Sequence, residues 1–245
     1  MLKGGVLLAV FAARRPTKDI DLQATGLEND ADAVAARFRE IAQIALADGV
    51  VFDTQALTAS VMRDADEYAG IRVRLVGEFG TARVSIGIDV SFGDPIWPSP
   101  SLIEVPRIVD MGQPAVRLFG YPLTMVLAEK LVTAIDRGEA NTSWRDFADI
   151  YTLVRAHPVD GAEFGASLAV VGEYRHVELV PLLPRLAGMP RRAQAKWLAW
   201  RRRTGREREL PETFAEVLTS LALFADPVLA SSNAARWNPA LNQWE

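Results

Sequence analysis

A chain of 245 residues, 49% hydrophobic and 24% charged, is long enough to bury a substantial core in one large domain or two modest ones. Its net charge of −4 excludes a polycation acting through its overall field, so any nucleic-acid partner needs a local basic patch. The lack of cysteine excludes disulfides, thiolate metal sites and cysteine nucleophiles, and two histidines, His157 and His176, are too few for a histidine-rich zinc site. No apolar run reaches the roughly 20 residues of a membrane span. The opening MLKGGVLLAVFAARR ends its apolar stretch in an arginine pair with no small-residue cleavage site. A cytoplasmic protein without a membrane partner is expected.

In chain order, Gly4 and Gly5 suit a tight turn. The apolar run behind them suits a short buried helix whose basic end, Arg14 and Arg15, complements the dipole before Pro16 breaks it. TKDIDLQA alternates as a strand. Residues 29–47 carry apolar positions at helical spacing behind Asn29 or Asp30 as N-cap. IRVRLVGEF and ARVSIGIDVSF read as a hairpin split at Gly80. GDPIWPSPS is a proline-rich loop, and LIEVPRIV resumes an extended run. From Pro122 the pattern turns helical in PLTMVLAEKLVTAIDRG and SWRDFADIYTLVRAH, and stays so to about residue 225. The reading is an α/β core over residues 1–120 and a helical domain over 121–245. The closing SSNAARWNPALNQWE, with Trp237 and Trp244, suits either a tail folded back on the body or a docking segment.

Asp19 and Asp21 share one strand face, roughly 6–7 Å apart at about 3.3 Å per residue, while Ile20 and Leu22 point the other way. Two like charges held together need neutralising, and hard divalent ions such as Mg²⁺ or Mn²⁺ favour oxygen ligands. A two-metal site usually takes a third carboxylate, and Asp89, mid-strand between Ile88 and Val90, offers one. The Gly4–Gly5 pair can present backbone N–H groups to phosphates, with Arg15 or Lys18 nearby. A solvated strand end is the plain alternative for Asp19 and Asp21. No G-x-x-x-x-G-K-[ST] occurs, so a P-loop NTPase is disfavoured.

With these residues in place, LKGGVLLAV…RRPTKDIDL resembles the opening of the AbiEii-type nucleotidyltransferase toxins, in which a glycine-containing turn and a short helix precede Asp-x-Asp on a strand. AEKLVTAIDRG is similar to that family's Lys-Leu helix and WRDFADIY to its Asp-x-x-Asp helix, so the likeness spans Leu2 to about Leu153. It departs at Val6, where the family often has Ser or Thr. The chain also opens almost on the glycine turn, where relatives carry a preceding helical segment. The resemblance implies a DNA polymerase-β-like α/β nucleotidyltransferase core with a mostly helical C-terminal domain. It also implies metal aspartates Asp19 and Asp21 with Asp89 as third carboxylate, Lys130 on the triphosphate of an NTP co-substrate, and Asp149 and Asp146 as acidic helix residues needed for activity. Independently of the resemblance, Asp146 and Asp149 share a helix face. Lys130 has a plainer role as partner of Asp149 across two helices.

The acceptor is addressed by MPRRAQAKWLAWRRRTGRERE, with eight basic residues between Arg191 and Arg208. Arg191, Arg192, Lys196, Arg201, Arg202 and Arg203 form a candidate track for an RNA backbone, and Trp197 and Trp200 a stacking platform for unpaired bases. The alternative packs both tryptophans inward. By resemblance the acceptor is the tRNA 3′ end, modification of which blocks aminoacylation, and the partner a cognate antitoxin. A small-molecule or protein acceptor, or a non-catalytic nucleotide- or RNA-binding module, are the competing readings.

Overall fold

The structure, a computed structural model, describes residues 1–62, 70–109, 112, 114–230 and 235–245. Leu2–Lys3 (β1) leads into a single helical turn, Gly4–Leu7 (α1). The expected longer helix does not form. The chain goes on in i→i+3 turns, and Ala12, at φ 52°, lets the Ala13 N–H reach the Leu8 carbonyl at 2.9 Å. A left-handed residue with that bond closes a helical run, so Arg14 and Arg15 lie beyond it rather than at a helix end. Asp19–Ala24 (β2) follows, then Ala31–Ala42 (α2), capped by the Asp30 carboxylate on the Ala33 N–H at 2.9 Å. Val50–Val61 (β3), Ile71–Phe79 (β4) and Ala82–Phe92 (β5) pair in sequence as antiparallel neighbours. Ser101–Val105 (β6) and Val116–Gly120 (β7) form another antiparallel pair.

These strands make a seven-stranded sheet among the described residues, ordered β3-β4-β5-β2-β1-β7-β6. β2 runs parallel to β5 and β1 parallel to β7, and the other neighbours are antiparallel. Alternation sorts the two faces. Ile71, Val73 and Leu75 of β4 and Ile88 and Val90 of β5 are buried with Val34 and Ala35 of α2, and Ile20 and Leu22 of β2 pack on them. The intervening residues Asp19, Asp21, Arg72 and Asp89 therefore fall on the opposite face.

Two compact units divide the chain: Met1–Asp94 with Ser101–Tyr121, and Pro95–Pro100 with Pro122–Glu245. The short Pro95–Pro100 segment belongs to the second unit, where the Ser167 hydroxyl donates to the Trp97 carbonyl at 2.6 Å. That unit is built from helices Leu123–Arg137 (α3), Trp144–Ala156 (α4), Gly161–Tyr174 (α5), Leu182–Arg185 (α6), Met189–Thr204 (α7) and Phe214–Leu229 (α8). Side-chain caps start two of them, Asp160 on the Glu163 N–H and Thr213 on the Glu216 N–H. Gly205, at φ 68°, ends α7. Phe147 and Trp197 each meet Phe214 edge-on, and all three are fully buried.

The tail folds back. Arg236–Asn238 (β9) bridges Val159–Asp160 (β8) and Gln243–Trp244 (β10). Trp237 is buried and donates to the Val154 carbonyl at 2.6 Å, and Trp244 donates to the Phe224 carbonyl at 2.9 Å. Residues 231–234 of the same stretch lie outside the described residues.

Candidate active site

A row of four charged residues crosses four adjacent strands. Register pairs Arg72 with Asp89 between β4 and β5, Asp89 with Asp21 between β5 and β2, and Asp21 with Lys3 between β2 and β1. Directly paired residues share a face, and neighbouring strands lie about 4.8 Å apart, so the two carboxylates stand side by side. Asp19 is one pleat along the same face, opposite Gly87. A Cβ on Gly87 would meet the Asp19 Oδ1 at 2.4 Å, so the missing side chain is what leaves room for that carboxylate.

The glycine turn holds Asp21 from above. The Gly5 N–H donates to Asp21 Oδ2 at 3.2 Å. Gly4, at φ 62°, lies so close that a Cβ there would fall 1.9 Å from the same oxygen. Burial raises the Asp21 pKa, the Gly5 N–H lowers it, Asp89 and Asp19 raise it and Lys3 lowers it, and the net shift is upward. By count, the carboxylates of Asp19, Asp21, Asp89 and Asp94 outnumber the cations placed among them, Lys3 and Arg72. Lys3 is committed to Asp94 at 2.8 Å, and Arg72 grips both oxygens of Asp89, with Nε to Oδ1 at 2.7 Å and Nη2 to Oδ2 at 2.5 Å.

Beside this row is a cleft of about 540 Å³ whose lining includes Gly5, Val6, Arg14, Arg15 and Thr17. Arg15 lines the cleft together with Arg14, whereas Lys18 is exposed and does not line it. Paired hard oxygen donors with uncompensated charge fit a divalent cation held by Asp19 and Asp21. Among the described residues, however, no three acidic or histidine side chains converge as a metal cluster. Asp89, expected as third ligand, shares the face but is occupied by Arg72.

The helical unit brings together Lys130 of α3 and the two aspartates of α4. Lys130 Nζ donates to Asp146 at 2.5 Å and to Asp149 at 3.0 Å. Burial lowers the Lys130 pKa, but Asp149 and Asp146 outweigh it and the net shift is upward, which keeps the ammonium charged. Asp149 is only 2% exposed, so this is an interior pair and not a solvated one.

On α7, Met189, Ala193, Trp197, Trp200 and Arg201 are buried. Trp197 and Trp200 pack inward, stacked with ring centroids 5.3 Å apart, and form no platform for bases. Arg201 leaves the proposed RNA track too, since its guanidinium donates to the Glu207 and Leu210 carbonyls at 2.8 and 2.9 Å. Both departures follow from the 3.6-residue period, which turns positions 193, 197, 200 and 201 to the core. Arg191, Arg192, Lys196, Arg202 and Arg203 remain exposed, with Arg192 also paired to Glu139 at 2.7 Å.

The family profile described as nucleotidyl transferase AbiEii toxin, type IV TA system, matches residues 1–220. The chain belongs to the AbiEii nucleotidyltransferase toxin family. Two solved structures from Helicobacter pylori align with most of it. JHP933 is 13% identical, covers 94% of this chain and 84% of its own, and has a TM-score of 0.50. A nucleotidyltransferase candidate is 15% identical, with coverages of 94% and 86% and a TM-score of 0.49. No curated protein matches the sequence. The JHP933 likeness bears on fold alone, and this AbiEii-family chain has the polymerase-β-like arrangement of an α/β core followed by a mostly helical domain. Membership of a type IV toxin–antitoxin family implies an antitoxin partner. No helix among the described residues is long and apolar enough to cross a membrane.

In this AbiEii-family site, the sequence reading missed Lys3, Arg72 and Gly87. Each left a signal. Lys3 immediately precedes the glycine pair, Arg72 is a basic residue between the buried Ile71 and Val73 of its strand, and Gly87 interrupts a strand two residues before Asp89.

Proposed function

We propose that the chain transfers a nucleoside monophosphate from an NTP to an RNA hydroxyl in a divalent-cation-dependent reaction, with the tRNA 3′ end as acceptor, so that aminoacylation and translation stop. One observation carries the reading: Asp19, Asp21 and Asp89 share a sheet face under a glycine turn that donates to Asp21. Asp19 and Asp21 hold the cation, and the Gly4–Gly5 turn fixes the Asp21 carboxylate. A bound Mg²⁺ or Mn²⁺ supplies charge that lowers the pKa of an attacking hydroxyl and stabilises the reacting phosphate. Arg15 meets phosphate in the cleft, and Lys130, kept charged and oriented by Asp146 and Asp149, serves the triphosphate. The exposed basic residues of α7 support an anionic acceptor.

A second reading, transfer to a small molecule or protein, is favoured by the inward packing of Trp197 and Trp200, which removes the base-stacking surface. The two separate in one assay. Protein is incubated with total tRNA, Mg²⁺ and each labelled NTP in turn, with Asp21→Ala as control. Label on tRNA that is absent in the control supports the tRNA reading and names the nucleotide. No label from folded protein rejects tRNA and turns the search to other acceptors.

A further inference from the structure

Both oxygens of Asp89 are taken by the fork of Arg72, a two-point, charge-assisted contact that leaves a metal no unencumbered oxygen there. Yet Asp89 stands directly across from Asp21, within one strand spacing. The two partners differ in exposure: the Arg72 side chain is 38% exposed and that of Asp89 17%. The guanidinium is thus on the open side of the pair and can leave toward solvent, while the carboxylate stays in the sheet. Charge along the row favours that exchange. Arg72 and Lys3 bracket Asp89 and Asp21, and Lys3 is shared with Asp94. A divalent ion held at Asp21 would bring two positive charges toward Arg72 and compete with it for the Asp89 oxygens.

We infer that Arg72 is an exchangeable counter-ion, holding Asp89 in the metal-free protein and being displaced from it when a divalent cation binds. This rests on the cation reading of Asp19 and Asp21. Asp89 then becomes a ligand only in the loaded site, and the released guanidinium presents its planar array of donors to a phosphate on the same sheet face. Arg72 is in this sense a positioning residue for Asp89 and a phosphate donor after exchange.

The test is Mn²⁺ binding without nucleotide, followed through the free Mn²⁺ paramagnetic resonance signal. Wild-type protein binds Mn²⁺ and Asp21→Asn does not. Arg72→Met, which removes the charge and keeps the apolar stem, tightens binding by about tenfold. Adding Asp89→Asn to Arg72→Met cancels that gain. Unchanged or weaker binding in Arg72→Met, or a gain that survives Asp89→Asn, overturns the exchange while leaving the cation reading intact. No Mn²⁺ binding by wild type, or full binding by Asp21→Asn, overturns both. If Arg72→Met does not fold, the Arg72 Nε–H resonance of wild-type protein, assigned through its loss in Arg72→Lys, gives the answer. It shifts as Mg²⁺ saturates the site, and a stationary resonance at saturation overturns the inference.

Discussion

Gly4 and Asp21 are so close that a single methyl group at Gly4 would land 1.9 Å from the Asp21 Oδ2. The glycine also has φ 62°, where L residues are strained by about 1–2 kcal/mol. Gly4→Ala is therefore expected to lower stability by at least that strain and to push Asp21 off its Gly5 contact. Denaturant titration and a nucleotidyl-transfer assay check it. Wild-type stability and turnover together would show the turn to be dispensable.

Asp21→Asn should separate activity from stability. Transfer should fall by at least roughly 10²–10³-fold, the loss seen when a single preorganised hydrogen-bonding group is removed from an active site. Stability should rise at neutral pH. The folded pKa of Asp21 lies above its ordinary 3.8, so the native state holds the proton more tightly than the unfolded chain. Asp21 thus subtracts nothing well below 3.8 and progressively more as pH climbs through its folded pKa. The gain in melting temperature, roughly 2–4 °C per kcal/mol, should be present at pH 7 and fade toward pH 3. A gain of equal size at both pH values would contradict this.

Lys130 and Asp149 should behave as a coupled pair. Lys130→Met strands a buried carboxylate and should cost about 3–5 kcal/mol. Lys130→Met with Asp149→Asn should recover part of that, with a coupling energy of about 0.5–3 kcal/mol. Urea titration of both single variants and the double variant measures it. Additive losses would mean that the pairing contributes nothing to stability.

The basic residues of α7 should divide into two groups. Replacing exposed Arg202 and Arg203 by Ala should weaken RNA binding and lower its salt slope by about 0.7–0.9 for each phosphate left without its cation, with no change in melting temperature. Arg201→Ala should instead destabilise the fold, because the Glu207 and Leu210 carbonyls lose their donor. Filter binding across a salt series, with a thermal melt of each variant, distinguishes them.

Much of the core was legible because its strands alternate cleanly. The β4–β5 hairpin and the Asp30 cap follow directly from the order of residues, and Ile88-Asp89-Val90 shows on its own which way the carboxylate points. β3 was not legible. Its register slips between Asp53 and Thr58, and a bulge there destroys the period-2 pattern that reveals a strand. α1 was overread because an apolar run has the same composition whether it coils as a helix or folds as consecutive turns. The Arg72–Asp89 pairing was out of reach for another reason: register between strands is a tertiary fact, and opposite charges on different strands give no local sign of their meeting.

The short excursion Pro95–Pro100 has a consequence for anyone dissecting the molecule. The polypeptide passes between its two units after Asp94, after Pro100 and again after Tyr121, so no single cut yields either unit whole. A fragment begun at Pro122 would lack the Trp97 carbonyl and leave the fully buried Ser167 hydroxyl with only the Glu163 carbonyl of its own helix. The helical unit is better expressed with those six residues supplied as a separate peptide, or within a circularly rearranged chain, than as a simple truncation.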